Sequence, residues 1–351
     1  MASLGVMIKT AIVLFNLGGP DKPSAVQPFL FNLFNDPAII NLPNPFRWGL
    51  AKLISKRRAP IARKIYENLG GGSPLLPNTQ VQARALEKAL MVAEPGIDGD
   101  DFKVFITMRY WHPFSAETVR AVMDYAPDRI LLLPLYPQFS TTTTGSSVTD
   151  WNQAAAKAGL KLPTKTLCCY PVDPGFVSEV VARIRPVLEK ARKYGPPRLL
   201  FSAHGLPKKI VEAGDPYQEQ VEESAAAVFE ALKEPDLDWV ICYQSRVGPL
   251  KWIGPSTDSE IGRAGQDKVP LVVIPIAFVS EHSETLVELD IEYRELAEEN
   301  GVPAYYRVPT VNDGPAFIEG LACRVRGVID GSVSLCPGRE DDPCPTSWNR
   351  V

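Results

Sequence analysis

Three histidines occur in 351 residues. One of them, His204, stands in the stretch LLFSAHGLPKKI at 199–210, between an apolar run and a Gly-Leu-Pro turn. Imidazole is the side chain whose charge changes near neutral pH. A histidine there could act as a base or bind a metal, or it could be an ordinary polar residue at a strand end with water on both ring nitrogens. A second pattern lies in SEHSETLVELDIEY at 280–293, where Glu284, Glu288 and Glu292 follow at four-residue spacing and on a helix would form a slowly drifting row along one face. Such a row is either a solvated face or a line of oxygens for cations and protons. A surface ladder takes lysine or arginine partners, and only Arg294 is near. Six cysteines, Cys168, Cys169, Cys242, Cys323, Cys336 and Cys344, complete the reactive set. Cys242 in DWVICYQS reads as a small core residue, whereas Cys336 and Cys344 sit in a polar tail that has no core to fill.

The elements that must position these residues alternate in type. TAIVLFNLGGP, FKVFITMRYWHP, RILLLPLYPQFS, RLLFSAHGLP, DWVICYQSRVGP and VPLVVIPIAFVSEH read as buried strands ending in turn or polar residues. DPYQEQVEESAAAVFEALKE and SETLVELDIEYRELAEENG read as amphipathic helices, the second closed by Asn300-Gly301. Alternation of this kind predicts an α/β fold with parallel sheets, whose ligands lie beyond the carboxyl ends of the strands. AIVLFNLGGP and RLLFSAHGLP each run a strand into a polar residue, glycine and proline, a weak internal repeat that predicts two similar α/β domains facing each other across a cleft. Proline and glycine concentrate near KLPTKTLCCYPVDPGF, 161–176, so the domains are expected at 1–165 and 166–328, with a tail at 329–351.

Bulk properties exclude other classes. With 45% hydrophobic and 22% charged residues the chain has core enough for two domains, and a formal charge of -4 leaves no cationic excess for a phosphate backbone, so nucleic acid is not an expected partner. No Gly-x-Gly-x-x-Gly follows the first strand and no P-loop occurs, which argues against nucleotide chemistry. The short apolar start lacks a cleavage pattern and no run of 18 apolar residues exists, so a cytoplasmic protein without membrane spans is expected.

Specific blocks then carry a resemblance. NLGGP at 16–20, KRRAP at 56–60, GGGSPL at 70–75, MRYWHP at 108–113, YPQFSTTTTGSS at 136–147, FSAHGLP at 201–207, GDPY at 214–217, QSRVGPLKWIGP at 244–255 and PIAFVSEHSETLVELDIEY at 275–293 occur in the order of the ferrochelatase family, which the chain resembles from about residue 9 to 325. The resemblance implies two Rossmann-like domains of the class II chelatase kind, with an active-site cleft between them. It implies an enzyme of haem biosynthesis, a lyase that inserts Fe(II), its metal substrate, into protoporphyrin IX. The macrocycle must bend, two pyrrole protons must leave, and hydrated Fe(II) must lose water.

By the same resemblance His204 is the base or the first iron ligand and Glu284 its carboxylate partner, on a helix partly widened into π-type turns whose Glu288 and Glu292 line a path for Fe(II) or protons. Leu17, Tyr66, Trp252 and Phe278 match positions that contact the macrocycle, although aromatics at such spacing also serve as core. Arg57, Arg58, Ser73, Arg109 and Tyr136 resemble residues that meet the propionates or line the pocket, arginine being suited to carboxylates by its planar fork. The apolar stretch from Phe29 to Ile54, rimmed by Arg47, Lys52, Lys56, Arg57 and Arg58, is expected as an exposed lip that makes a peripheral contact with the inner membrane or packs on the second domain. Some family members hold a [2Fe-2S] cluster. Here Thr141 stands at the internal ligand position of the animal pattern, so a rearranged set of Cys168 or Cys169, Cys323, Cys336 and Cys344 is the candidate, against a tail whose cysteines are incidental. Coproporphyrin III as substrate, a cobalt or nickel chelatase, and a non-catalytic haem-binding relative are the rival readings.

Overall fold

The computed structural model describes residues 8–91, 100–246 and 250–334. It parts into two compact units, one formed by the described residues up to Tyr170 together with those from Ile318 onward, the other by Pro171–Phe317.

In the first unit β1 (Lys9–Asn16), β2 (Asp101–Met108), β3 (Arg129–Pro134) and β4 (Thr164–Thr166) form a parallel sheet in the order β2-β1-β3-β4. β1 is a continuous apolar run because both of its pleat faces are covered: Ile12 and Val13, on opposite faces, are fully buried. The helices of this unit are α1 (Val26–Phe34), α2 (Phe46–Glu67), α3 (Leu75–Leu90), α4 (Ser115–Tyr125) and α5 (Ser146–Ala158). On one face Ala11, Val13 and Phe15 pack against Val119 and Val122 of α4 and Val148 and Trp151 of α5, with the Phe15 and Trp151 rings edge to face at 6.0 Å. Gly18, just past β1, adopts φ +85, and a Cβ there would meet the Trp111 backbone nitrogen at 3.0 Å, so the NLGGP turn requires glycine on both counts.

The second unit repeats the arrangement. It contains α6 (Pro174–Ala191), β5 (Arg198–His204), α7 (Lys208–Glu212), α8 (Tyr217–Leu232), β6 (Asp238–Gln244), α9 (Thr257–Asp267), β7 (Leu271–Pro275), a π-helix (Glu284–Glu292), α10 (Tyr293–Glu299) and β8 (Tyr305–Arg307), and α11 (Pro315–Asp330) returns the chain to the first unit. Its parallel sheet runs β6-β5-β7-β8, the same order as the first. The repeated strand-to-proline pattern therefore falls on β1 and β5, which hold the same place in their sheets.

One expectation changes. The apolar stretch from Phe29 is not exposed along its length: Phe29 and Leu30 are 5% and 8% exposed, packed with Val26, Ala59, Tyr66 and Tyr110 in a local core. Exposure begins later and runs further, through Ile39, Leu42, Phe46, Trp48, Leu53 and Ile61. The segment read as a helix from 283 opens as a π-helix, the widening that the resemblance implies, and narrows to α10. Two of its carbonyls accept from side chains, Leu289 from the Tyr305 hydroxyl of β8 at 2.6 Å and Asp290 from Arg294 Nε at 3.1 Å. Among the described residues no helix is long and apolar enough to cross a membrane.

Candidate active site

In the second unit the reactive residues gather at the carboxyl ends of the strands, where a parallel sheet leaves backbone and side chains open to a ligand. His204 ends β5, in register with Gln244 at the end of β6. Gly205 must follow it, because a Cβ there would meet the Gln244 carbonyl at 3.0 Å and the Trp252 ring at 3.3 Å. His204 Nδ1 lies 2.8 Å from Glu284 Oε2 on the first turn of the π-helix. The histidine side chain is 41% exposed and the glutamate 23%. Partial desolvation would lower the imidazole pKa, but the charge of Glu284, its hydrogen bond and the charge of Glu288 outweigh that and raise it. Glu284 goes the other way. Burial would raise its carboxyl, yet His204 and His282 hold it well below the usual carboxylate range.

The acids do not form one row. Glu288 Oε1 accepts from the Ser245 backbone N–H at 2.9 Å and from the Tyr293 hydroxyl at 3.2 Å. Ser245 Oγ lies 2.5 Å from Glu288 Oε2 and 3.1 Å from Glu284 Oε2. A hydroxyl carries one hydrogen, so both contacts are hydrogen bonds at once only when one carboxyl is protonated. Burial and the charge of Glu284 raise the Glu288 carboxyl, so that of the two acids it is the first to protonate as pH falls. Glu292, by contrast, is exposed, and Arg294 turns to the Asp290 and Tyr305 carbonyls rather than to any of the three acids.

Three residues at this site were not singled out from the sequence. His282, 9% exposed, contacts the Ser280 carbonyl through Nδ1 at 3.2 Å and presents Nε2 to Glu284 Oε1 at 3.8 Å. Nδ1 must donate to that carbonyl, so Nε2 faces the carboxylate as a donor only when the ring carries both protons. Tyr217 places its hydroxyl against the His204 backbone. Ser245 is the third. The sequence signal for all three was present, in EHSETL, GDPY and QSRVGPLKWIGP.

Phe278 and Trp252 belong to the same unit. The Phe278 ring stands 4.6 Å from that of His282, and Trp252 bridges to Pro207 beside Gly205, its indole N–H without a partner among the described residues.

In the first unit Leu17 and Tyr66 pack in the local core with Tyr110, and Tyr136 is half-buried against the sheet core. Ser73 donates its backbone N–H to the Pro20 carbonyl at 2.7 Å, beside the NLGGP turn. Arg57 and Arg58 are exposed on α2, with no carboxylate in reach among the described residues. Arg109 differs from the expected open fork. Its Nη2 bonds Asp36 at 2.8 Å, its Nε bonds Ser146 at 2.6 Å and its Nη1 faces Asp150 at 3.6 Å. Asp36, 3% exposed, also accepts from the Tyr110 hydroxyl at 2.8 Å and from Ser146, so this guanidinium balances a buried carboxylate.

Among the described residues no group of three or more His, Cys, Asp or Glu side chains is arranged to hold a metal ion, so His204, Glu284, Glu288 and Glu292 form no ready cage. Nor do the cysteines among the described residues form a cluster site. Cys168 and Cys169 lie side by side, Sγ to Sγ 3.2 Å, packed with Phe139, while Cys323 is exposed on α11 and contacts Glu319 at 3.6 Å. Cys336 and Cys344 lie outside the described residues. Cys242 is the expected core residue, fully buried, and burial pushes its thiol up to about 12.

A family model described as Ferrochelatase matches residues 9–328. A ferrochelatase of Caulobacter vibrioides is 56% identical over 345 residues, covering 97% of this chain and 96% of its own, and one of Phenylobacterium zucineum is 55% identical over 336 residues, covering 94% and 96%. Among solved structures, SirB from Bacillus subtilis with Fe3+ aligns at TM-score 0.51 and 12% identity over 93% of this chain and 97% of its own, a likeness of fold.

Proposed function

The chain belongs to the ferrochelatase family, and from that membership we propose how its residues divide the work. It is a metal chelatase that inserts Fe(II) into a porphyrin to form haem. Two pyrrole protons leave as iron gains its porphyrin nitrogens, so the site needs a base beside the macrocycle and negative charge beside the cation. The observation that carries the reading is the contact of 2.8 Å between His204 Nδ1 and Glu284 Oε2. With Nδ1–H donated to the carboxylate, Nε2 carries the lone pair that takes a pyrrole proton, and Glu284 stabilises the imidazolium that results. Glu284, with Glu288 behind it, supplies charge for Fe(II) and compensates for the water the cation sheds.

Leu17, Tyr66, Tyr136, Trp252 and Phe278 serve as apolar contacts of the macrocycle. Arg57, Arg58 and Ser73 receive the propionates, while Arg109 acts through Asp36 on the fold. Protoporphyrin IX is the porphyrin. The exposed face of α2, with Phe46 70% and Trp48 48% exposed beside Lys52, Lys56, Arg57 and Arg58, is a peripheral contact for an anionic membrane surface on a cytoplasmic protein. A [2Fe-2S] cluster would depend on Cys336 and Cys344, since the described cysteines offer no set of ligands. Purified protein mixed with Fe(II) and protoporphyrin in the absence of oxygen should develop the absorbance of haem. No haem under those conditions would sink the reading.

A further inference from the structure

Ser245 follows β6 directly and holds φ at +60, in the left-handed region that residues other than glycine rarely enter. Four other non-glycine residues among those described share this sign. Ala126, Lys233 and Lys268 close the helices α4, α8 and α9, where such a residue is the usual stop, and Asn312 is of a type that tolerates the region. Ser245 closes no helix. Its conformation instead turns the backbone N–H to Glu288 Oε1 at 2.9 Å and the hydroxyl to Glu288 Oε2 at 2.5 Å and Glu284 Oε2 at 3.1 Å.

Glycine would adopt this backbone at less cost and would still offer the N–H. The hydroxyl is the one group glycine lacks, and it is the group that touches both acids. Neither acid has a lysine or arginine partner among the described residues; Glu284 meets the two histidines and the Ser245 hydroxyl, and Glu288 meets Ser245 and the Tyr293 hydroxyl. Without the serine, two like-charged carboxylates on one helix would swing apart toward water.

We infer that Ser245 is a positioning residue for iron delivery: its amide and hydroxyl pin the Glu288 carboxylate beside Glu284, so that the two acids meet an incoming divalent cation as one unit. The inference rests on the proposed use of Glu284 and Glu288 for Fe(II).

Ser245→Gly keeps the backbone conformation and the N–H and removes only the hydroxyl. Its KM for Fe(II) should rise about tenfold, with kcat and the porphyrin KM within about twofold of the parent, while its thermal midpoint stays level or rises. Ser245→Ala also lacks the hydroxyl but retains the strain, so it should show the same rise in KM with a lower midpoint. Added to Glu288→Gln, which raises the same KM, Ser245→Gly should contribute almost nothing further, because the two changes break one connection. Cation binding measured without porphyrin, by the visible absorption of Co(II), should weaken by a similar factor in both serine variants. A Ser245→Gly protein with the parent's KM for Fe(II) and the parent's Co(II) affinity would overturn the inference, as would KM values that follow the midpoint rather than the hydroxyl, or effects that multiply fully with Glu288→Gln. A parent protein that makes no haem yet loses Co(II) affinity in both serine variants would remove the chelatase reading and leave the positioning role standing.

Discussion

His204 and Glu284 pull each other apart on the pH scale, and the direction of each shift sets what can be measured. The imidazole is raised above its ordinary 6.5, and it is a base only when unprotonated, so kcat/KM should climb with pH through that raised value. Glu288→Gln removes one of the charges that raise it and should move the climb to lower pH, with the His204 ring signals in NMR shifting in step; a move to higher pH would refute the assignment. His204→Ala should cost on the order of a hundredfold in turnover with the fold intact. Near-parent turnover would take His204 out of the chemistry. Stability follows the same signs. A raised imidazole stabilises the fold fully below 6.5 and ceases to as pH climbs through its folded value. A depressed carboxyl stabilises above 4.5 and ceases to as pH falls through its folded value. The pair therefore contributes most between 4.5 and 6.5, and Glu284→Gln should lower the denaturation midpoint within that window and flatten its decline on either side. His204 and Glu284 stood out in the sequence because their types suit the chemistry. Ser245 did not, because a serine in the left-handed region is written in the same letters as any other serine.

The π-helix is held in shape from outside, which makes its support testable as an element. Arg307 on β8, with a side chain 8% exposed, reaches Glu281 before the π-helix at 2.6 Å and Asp290 within it at 2.9 Å through Nε. Arg307→Met would strand two half-buried carboxylates and should lower stability by roughly 3 kcal/mol in chemical denaturation. A change of a few tenths would mean that the ion pairs are idle. Within the π-helix the exposed Glu292 should prove dispensable: Glu292→Gln should leave the Fe(II) requirement near that of the parent, where Glu288→Gln raises it. Equal effects at both positions would restore the continuous row that four-residue spacing suggests. That spacing was legible, but the place where the row breaks was not, since it depends on Ser245, Tyr293 and Arg294 arriving from other elements or turning away. The lip was half legible for a related reason. Its apolar letters do not say that Phe29 and Leu30 enter a core while Phe46 and Trp48 remain in water.

At the scale of the whole chain the parallel sheets were legible in the runs of apolar letters, and the repeat of AIVLFNLGGP in RLLFSAHGLP pointed to two similar α/β halves, whose sheets have one strand order that the letters did not give. The allotment of the cations was not, because an arginine's partner lies far off in sequence: Arg109 is 73 positions from Asp36, whose charge it balances. That allotment bears on which porphyrin is used. With Arg109 engaged, Arg57 and Arg58 are the arginines of the expected propionate set that have no carboxylate in reach among the described residues. Two unengaged guanidinium groups suit the two propionates of protoporphyrin IX, whereas the four of coproporphyrin III would leave two carboxylates without such partners, at a desolvation cost for each. In side-by-side assays protoporphyrin IX should therefore show the higher kcat/KM. Arg57→Ala and Arg58→Ala should each raise the porphyrin KM several-fold while leaving that for Fe(II) unchanged, because a lost charged hydrogen bond is worth a few kcal/mol at most and less where water reaches it. Arg109→Ala should instead lower the thermal midpoint by stranding Asp36. A clear preference for coproporphyrin III, or a porphyrin KM that responds to Arg109 and to neither Arg57 nor Arg58, would overturn this allotment.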